Sequence, residues 1–307
     1  MMLACVWRSL FTLLIAASMN PIMAQIALQE VTVKGLTFNC RISGNPEGQP
    51  VLLLHGWPET SHMWIPLMER LVAEGYYCIA PDQRGFSPKA RPTEIDAYNI
   101  RLLADDVVGL ADALGIAKFH LIGHDWGSAI GWAVVTFHSE RIQSWTAMSV
   151  PHVQAFGNAI RFDAKQRKMS RYMGWFQWKG LPEWALLRKD AKGLRDVWRK
   201  SSPQQVTAYL EVLGNKEGLK ASLNYYRANY KTLKKGEGAE SYGNISTPTL
   251  LLWGKKDFAI GKTGVDGTAA FMKGPYRLVE MDATHWLVQE AFEQCATEIV
   301  QHLAQHN

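Results

Sequence analysis

Asp125 stands at the centre of the stretch L-I-G-H-D-W-G-S, residues 121–128, where an apolar run stops and a helical pattern starts. Gly123 and Gly127 flank it at the spacing of a nucleophile elbow, a strained strand-to-helix turn too tight for larger neighbours. A carboxylate is a weak nucleophile toward amides but adequate for displacement at a saturated carbon, once it is desolvated and held in line. The bland alternative is that Asp125 caps the helix, a common role for aspartate. That reading accounts for the acid and leaves both glycines unexplained. Two further segments share the form of an apolar run ending in a reactive side chain: L-L-W-G-K-K-D, ending at Asp257, and M-D-A-T-H-W, carrying His285. Singly, each reads equally well as an ordinary loop residue. In the order nucleophile, acid, histidine, they read as Asp125 attacking, His285 as general base and Asp257 orienting it. The stretch L-L-L-H-G-W-P, residues 52–58, ends another apolar run in an H-G-x-P turn. There the Trp57 N–H would join that of Trp126 as an oxyanion hole, and Pro58 is a candidate for a cis peptide bond.

The elements that must position these groups follow from the hydrophobic pattern. Short β-rich runs at 30–33 and 37–42 resemble a hairpin, and those at 51–54 and 77–80 follow after glycine-rich punctuation. From residue 51 onward, strand-like runs (51–54, 77–80, 120–122, 144–150) alternate with helical patterns (64–73, 100–114, 128–136). This alternation predicts a mostly parallel sheet with helices on both faces, an α/β architecture. Residues 51–54 form a continuous apolar run, as a strand buried on both faces requires. Between 151 and 242 the pattern is helical, with Trp175, Trp178, Trp184 and Trp198 at helical spacing. Sheet-like runs return at 249–253 and 277–281, and an amphipathic helix is expected over 288–303. The expected organisation is therefore a core of residues 25–150 and 243–307, interrupted by a helical insertion over 151–242.

At this level of detail the chain resembles the epoxide hydrolase and haloalkane dehalogenase branch of the α/β-hydrolase superfamily, and most closely epoxide hydrolases. The resemblance rests on H-G-W-P-E at 55–59, P-D-Q-R-G-F-S at 81–87, G-H-D-W-G at 123–127, V-P-H at 150–152, W-G with Asp257, and His285-Trp286. It implies a helical cap over the sheet, an active site between them, and an alkyl ester on Asp125 hydrolysed by water that His285 activates. It also implies phenol donors from the cap for the epoxide oxygen. Asn224-Tyr225-Tyr226-Arg227 resembles the segment carrying one of them, at Tyr226. The other departs from the pattern: the matching position is Trp175, with Tyr172 one helical turn away as a second candidate. Indole N–H groups of Trp126 and Trp175 keep a halide-binding alternative open, while Trp57 occupies the place of a halide-binding asparagine in many dehalogenases. His55, His152, Trp175 and Phe176 are expected to line a pocket for a small hydrophobic epoxide or halogenated substrate. Ester or lactone hydrolysis and a non-catalytic binding role are the remaining alternatives.

Composition sets the outer bounds. A chain of 307 residues with 47% apolar content can bury a full core. Its net charge of +5 is spread over basic stretches interrupted by acidic and apolar residues, which reads as solvated helix faces rather than a nucleic-acid surface. Residues 1–24 resemble a secretory signal with cleavage after Ala24, implying a periplasmic or secreted enzyme without a stable membrane span after cleavage. The remaining cysteines, Cys40, Cys78 and Cys295, show no metal spacing and read as buried thiols. No phosphate loop or metal cluster is visible, so neither cofactor nor metal is expected. The sequence is compatible with a homodimer and carries no heptad run.

Overall fold

Apolar continuity decides which strands lie at the centre. In the computed structural model, which describes residues 25–235 and 242–307, strand β3 (Pro50–Leu54) buries Val51, Leu52, Leu53 and Leu54 completely. Burying each such side chain contributes roughly 1.5–3 kcal/mol. The flanking strands β1 (Ala27–Val33) and β2 (Leu36–Ser43) alternate in burial instead, as expected where one face meets solvent. They form the expected hairpin, and Lys34 and Gly35 both take positive φ, so the turn's twist matches that of the strands.

With β4 (Tyr77–Pro81), β5 (Phe119–His124), β6 (Ile142–Met148), β7 (Thr249–Gly254) and β8 (Tyr276–Met281), these strands make one eight-stranded sheet. Its order is β1-β2-β4-β3-β5-β6-β7-β8, and only β2 runs against the rest. The step from β3 out to β4 reverses at β4 to β5, so right-handed crossovers place α1 (Ile65–Ala73) on one face. Helices α2 (Ile100–Ala113) and α3 (Trp126–Phe137) consequently occupy the other. Asn99 caps α2 by accepting the Arg101 N–H at 3.0 Å. Helix α3 is apolar nearly all round and buried from Trp126 to Val135, because it lies under the middle of the sheet.

Between β6 and β7 the chain runs through α4 (Val153–Phe162), α5 (Ala164–Met169), α6 (Arg171–Trp175), α7 (Leu181–Val197), α8 (Pro203–Leu213) and α9 (Lys216–Lys235), with no strand among the described residues. Helix α7 is interrupted at Arg188 to Ala191, where three residues are left-handed. Ser202 and Gln205 close a reciprocal capping box at the start of α8. Helix α10 (Lys262–Gly267) follows β7. The single amphipathic helix expected over 288–303 is instead two, α11 (Leu287–Glu290) and α12 (Phe292–Ala304). The break is at Ala291, whose φ of −136° leaves the helical region. Just before it, Glu290 turns back to accept the Thr284 N–H at 2.7 Å, tying the break to the loop that carries His285.

The expected leader, residues 1–24, lies outside the described residues. No described helix is long and apolar enough to cross a membrane. Cys40, Cys78 and Cys295 are buried free thiols. Burial pushes Cys40 and Cys295 up to about 12, so all remain uncharged.

Candidate active site

Parallel register brings the reactive groups to one end of the sheet. Leu54 pairs with Gly123, His124 with Met148, Met148 with Leu252, and Gly254 with Met281. The chain leaving each of these strands meets the others at the carboxyl edge, the usual location of sites in open α/β sheets. Asp125 follows β5 with φ 52° and ψ −116°, a left-handed value that is strained for a residue with a Cβ. Its side chain makes no capping hydrogen bond to α3, so the helix-cap reading fails. The two glycines have a steric reason. A Cβ on Gly127 would lie 2.0 Å from the Leu54 carbonyl oxygen, and one on Gly123 would lie 2.3 Å from that of Gly127.

The elbow, the loop after β7 and the loop after β8 meet at His285. Its Nδ1 lies 2.9 Å from Asp257 Oδ2, and its Nε2 lies 3.4 Å from Asp125 Oδ2. Asp257 Oδ1 accepts the backbone N–H groups of Ala259 (2.7 Å) and Ile260 (3.0 Å), which fixes the carboxylate plane. Burial disfavours charge on Asp257, yet His285, the Ser149 hydroxyl and the Ile260 N–H outweigh it and hold the carboxyl below its ordinary range. Burial likewise opposes the His285 imidazolium. The Asp257 and Asp125 carboxylates overcome that and push its pKa up to about 10.

The two Asp125 oxygens have different surroundings. Oδ1 accepts the Trp57 N–H at 2.7 Å, while Oδ2 faces His285. Trp126 is the first residue of α3, so its N–H belongs to the group that a helix leaves without an internal acceptor. Trp57-Pro58 is a cis peptide bond. The 57–59 loop is gripped from the end of α7, from α8 and from α9: the indole of Trp198, just after α7, donates to the Pro58 carbonyl (2.9 Å), Tyr209 to Glu59 (3.2 Å), and the Trp57 indole to Ser222 Oγ (3.1 Å).

Three polar neighbours escaped the motif reading. Ser149, the residue after β6, donates its hydroxyl to Asp257 Oδ2 at 2.7 Å and lies 2.9 Å from His285 Nδ1. His124 donates from Nε2 to the His285 carbonyl at 2.9 Å, and its Nδ1 is 3.4 Å from the buried Glu59 carboxylate. His124 and Glu59 sit inside quoted motifs, but nothing in their spacing shows that they face each other. Ser149 carries no sequence signal beyond its place at a strand end.

Asp125 lies between two apolar cavities. The smaller, about 330 Å³, is lined by Trp126, Ala129, Val150, Phe156, Met173 and Leu233, among others; the larger, about 1050 Å³, by Trp57, Trp175, Phe176, Phe258, His285 and Trp286, among others, both volumes including space open to solvent. Tyr172 on α6 and Tyr226 on α9 line both. Their rings are 5.9 Å apart, edge to face, and the Tyr226 ring meets that of Trp126 at 5.1 Å. Burial, reinforced by nearby negative charge, raises both phenols well above their ordinary range, so they hold their protons. Tyr172, not Trp175, is thus the partner of Tyr226; Trp175 reaches only the larger cavity. Two expected pocket residues are corrected. His55 points away into the core, its Nδ1 3.0 Å from the Gly56 carbonyl and its Nε2 accepting the Gln83 N–H. His152 stacks on Phe271 at 4.4 Å and packs on Trp132. Neither lines either cavity.

Residues 49–291 match the family model described as alpha/beta hydrolase fold. This chain is an α/β hydrolase. Among curated relatives, the hydrolase is 31% identical over 271 residues to an AB hydrolase superfamily protein of Bacillus subtilis, covering 86% of this chain and 93% of that one. It is 30% identical over 295 residues to Epoxide hydrolase A of Mycobacterium tuberculosis, covering 85% and 92%. The solved structure of Epoxide Hydrolase A from Mycobacterium thermoresistibile superposes with a TM-score of 0.82 at 25% identity, covering 91% of this hydrolase and 98% of that chain. The hydrolase therefore stands close to the epoxide hydrolases.

Proposed function

We propose that this hydrolase opens epoxides to vicinal diols through an ester on Asp125. The observation that carries the reading is the position of one carboxylate with Oδ1 on a backbone N–H, Oδ2 toward His285, and two protonated phenols across the same cavities. Oδ2 attacks an epoxide carbon, the carbon–oxygen bond of the ring breaks, and Tyr172 or Tyr226 gives its proton to the departing oxygen. Esterification removes the negative charge of Asp125, one of the two carboxylates that raise His285. The imidazolium thereby gives its proton up to solvent and becomes a base for the next step. His285 Nε2 then takes a proton from water, whose oxygen attacks Cγ of Asp125. Negative charge collects on Oδ1, already aimed at the Trp57 N–H and joined there by that of Trp126. Collapse breaks the Cγ–Oδ2 bond, the departing alkoxide takes the proton held by His285 to complete the diol, and the proton left on the Asp125 carboxyl restores the phenol while His285 regains its own from solvent.

The helices α4–α9 act in this reading as a cap that supplies the phenols and an apolar wall. The halide-binding alternative, with Trp126 and Trp175 as its indole donors, gains no donor at position 57, whose indole bonds to Ser222 Oγ.

The deciding experiment is a single turnover in oxygen-18 water with a panel of epoxides and bromoalkanes, followed by mass analysis of the peptide containing Asp125. Diol formation with label in Asp125 is expected. Halide release with the same labelling would move the hydrolase to the dehalogenases, and unlabelled Asp125 with every substrate would sink the covalent mechanism. In His285→Gln, ester is expected to accumulate with hydrolysis slowed about 10³-fold or more, and Asp125→Asn is expected to form none.

A further inference from the structure

We infer that Ser149 is a positioning residue that sets the basicity of His285. The inference rests on the reaction just proposed, since it assigns His285 a base's work. Ser149 is fully buried at the end of β6, in the left-handed region at φ 69°, where a residue with a side chain is uncommon. Its N–H donates to the Leu252 carbonyl at 2.8 Å, which locks that backbone against β7. The hydroxyl is thereby delivered to one carboxylate oxygen, Asp257 Oδ2, at 2.7 Å, the same oxygen that receives His285 Nδ1 at 2.9 Å.

Two donors share one oxygen. Each weakens the other's hold, so the Ser149 hydroxyl draws charge away from the contact that stabilises the imidazolium. Asp257 keeps its full complement of partners, with Oδ1 held by two backbone N–H groups. The hydroxyl oxygen, 2.9 Å from Nδ1, also keeps that nitrogen facing the carboxylate and leaves Nε2 toward Asp125. A base that must lose its proton in every cycle benefits from a carboxylate that orients it without over-stabilising its charge.

The other charged or titratable groups facing His285 do not supply this adjustment. Asp125 faces Nε2 from the elbow and becomes neutral as an ester. His124, at the end of β5 with Glu59 behind it, contacts only the His285 backbone carbonyl through hydrogen bonding. Tyr172 and Tyr226, from α6 and α9, remain protonated, and Phe258 and Trp286 contribute uncharged ring faces. Among the described residues, only Ser149 joins His285 in donating to Asp257 Oδ2.

The test compares Ser149→Ala and Ser149→Gly with the unaltered enzyme. Glycine is at ease at positive φ, so a change common to both variants reports the lost hydroxyl rather than backbone strain. The first readout, made without substrate, is the titration of His285 followed by nitrogen-15 and proton NMR of the imidazole. We expect its midpoint to rise by about 0.5–1 unit in both variants. The second is pre-steady-state kinetics with an epoxide: ester formation within about twofold of the unaltered rate, ester hydrolysis slowed about tenfold at neutral pH, and its acid limb moved upward by the same shift. An unchanged midpoint, a shift in one variant only, or equal slowing of both steps would overturn the inference. Absence of any ester in the unaltered enzyme would instead remove the proposed reaction, while the NMR titration would still decide what Ser149 does to His285.

Discussion

A single carboxylate with two differently held oxygens is the smallest unit from which the chemistry follows. Asp125 Oδ1 is already bound to the Trp57 N–H, so in the proposed reaction the charge formed during ester hydrolysis would arise where a donor waits, with no reorganisation needed. The same reaction assigns the leaving oxygen to Tyr172 and Tyr226, which line the cavities beside Asp125. Because both phenols line the cavities beside Asp125 and keep their protons, either one can donate in the proposed ring opening. We therefore expect Tyr172→Phe and Tyr226→Phe each to slow ester formation by about 10-fold to 100-fold, and the double variant by about 10³-fold or more. Single-turnover measurement of ester formation checks this; an unaltered rate in the double variant would exclude the phenols from ring opening.

Elements matter through how closely they approach. Asp125 is exposed to the cavities because α3 starts immediately under β3 and β5, a contact that only hydrogen at residue 127 permits. Gly127→Ala brings a methyl group within 2.0 Å of the Leu54 carbonyl, backbone against backbone, with no flexible end to move aside. The expected cost is about 2–3 kcal/mol of stability, read from the denaturant midpoint, together with loss of activity as the elbow is displaced. A variant as stable and active as the parent would mean that the strand and helix separate more readily than this packing implies. The loop of residues 57–59 illustrates the same dependence in the opposite direction, since side chains just after α7 and on α8 and α9 hold it and with it the Trp57 N–H.

For the whole molecule, buried histidines set the pH range of stability. His120, His152 and His302 are buried, and desolvation lowers them from 6.5 to about 4, 4 and 3. The unfolded chain therefore binds more protons below pH 6.5, and stability falls as pH drops from 6.5 toward 4, at about 1.4 kcal/mol per unit for each group fully engaged. His285 has the opposite sign. Its folded value of about 10 exceeds 6.5, so its contribution is complete below pH 6.5 and disappears as pH rises to about 10. Thermal unfolding should accordingly show a maximum near pH 6.5–7. His152→Phe, which keeps the stack on Phe271, should flatten the acid side, and Asp125→Asn should flatten the alkaline side by removing one carboxylate beside His285. A melting temperature that varies equally with pH in all three proteins would show that other groups govern it.

The sequence by itself determined the sheet's central strands, the elbow at Asp125 and the ends at which Asp257 and His285 emerge. Each depends on a local pattern: a continuous apolar run that must be buried on both faces, followed by glycine or a turn that a tight exit requires. It also carried the family, because the motifs are contiguous. Tertiary structure alone decided which side chains share the cavity. Tyr172 rather than Trp175 meets Tyr226, since the helical turn of α6 and the packing of α9 set their directions. His55 and His152, equally close to motifs, turn into the core. Ser149 joins Asp257 across 108 residues, a contact made only when β6 and β7 lie in register. Spacing along a chain reports the exit of a strand, whereas the direction of a side chain depends on partners that the fold brings from elsewhere.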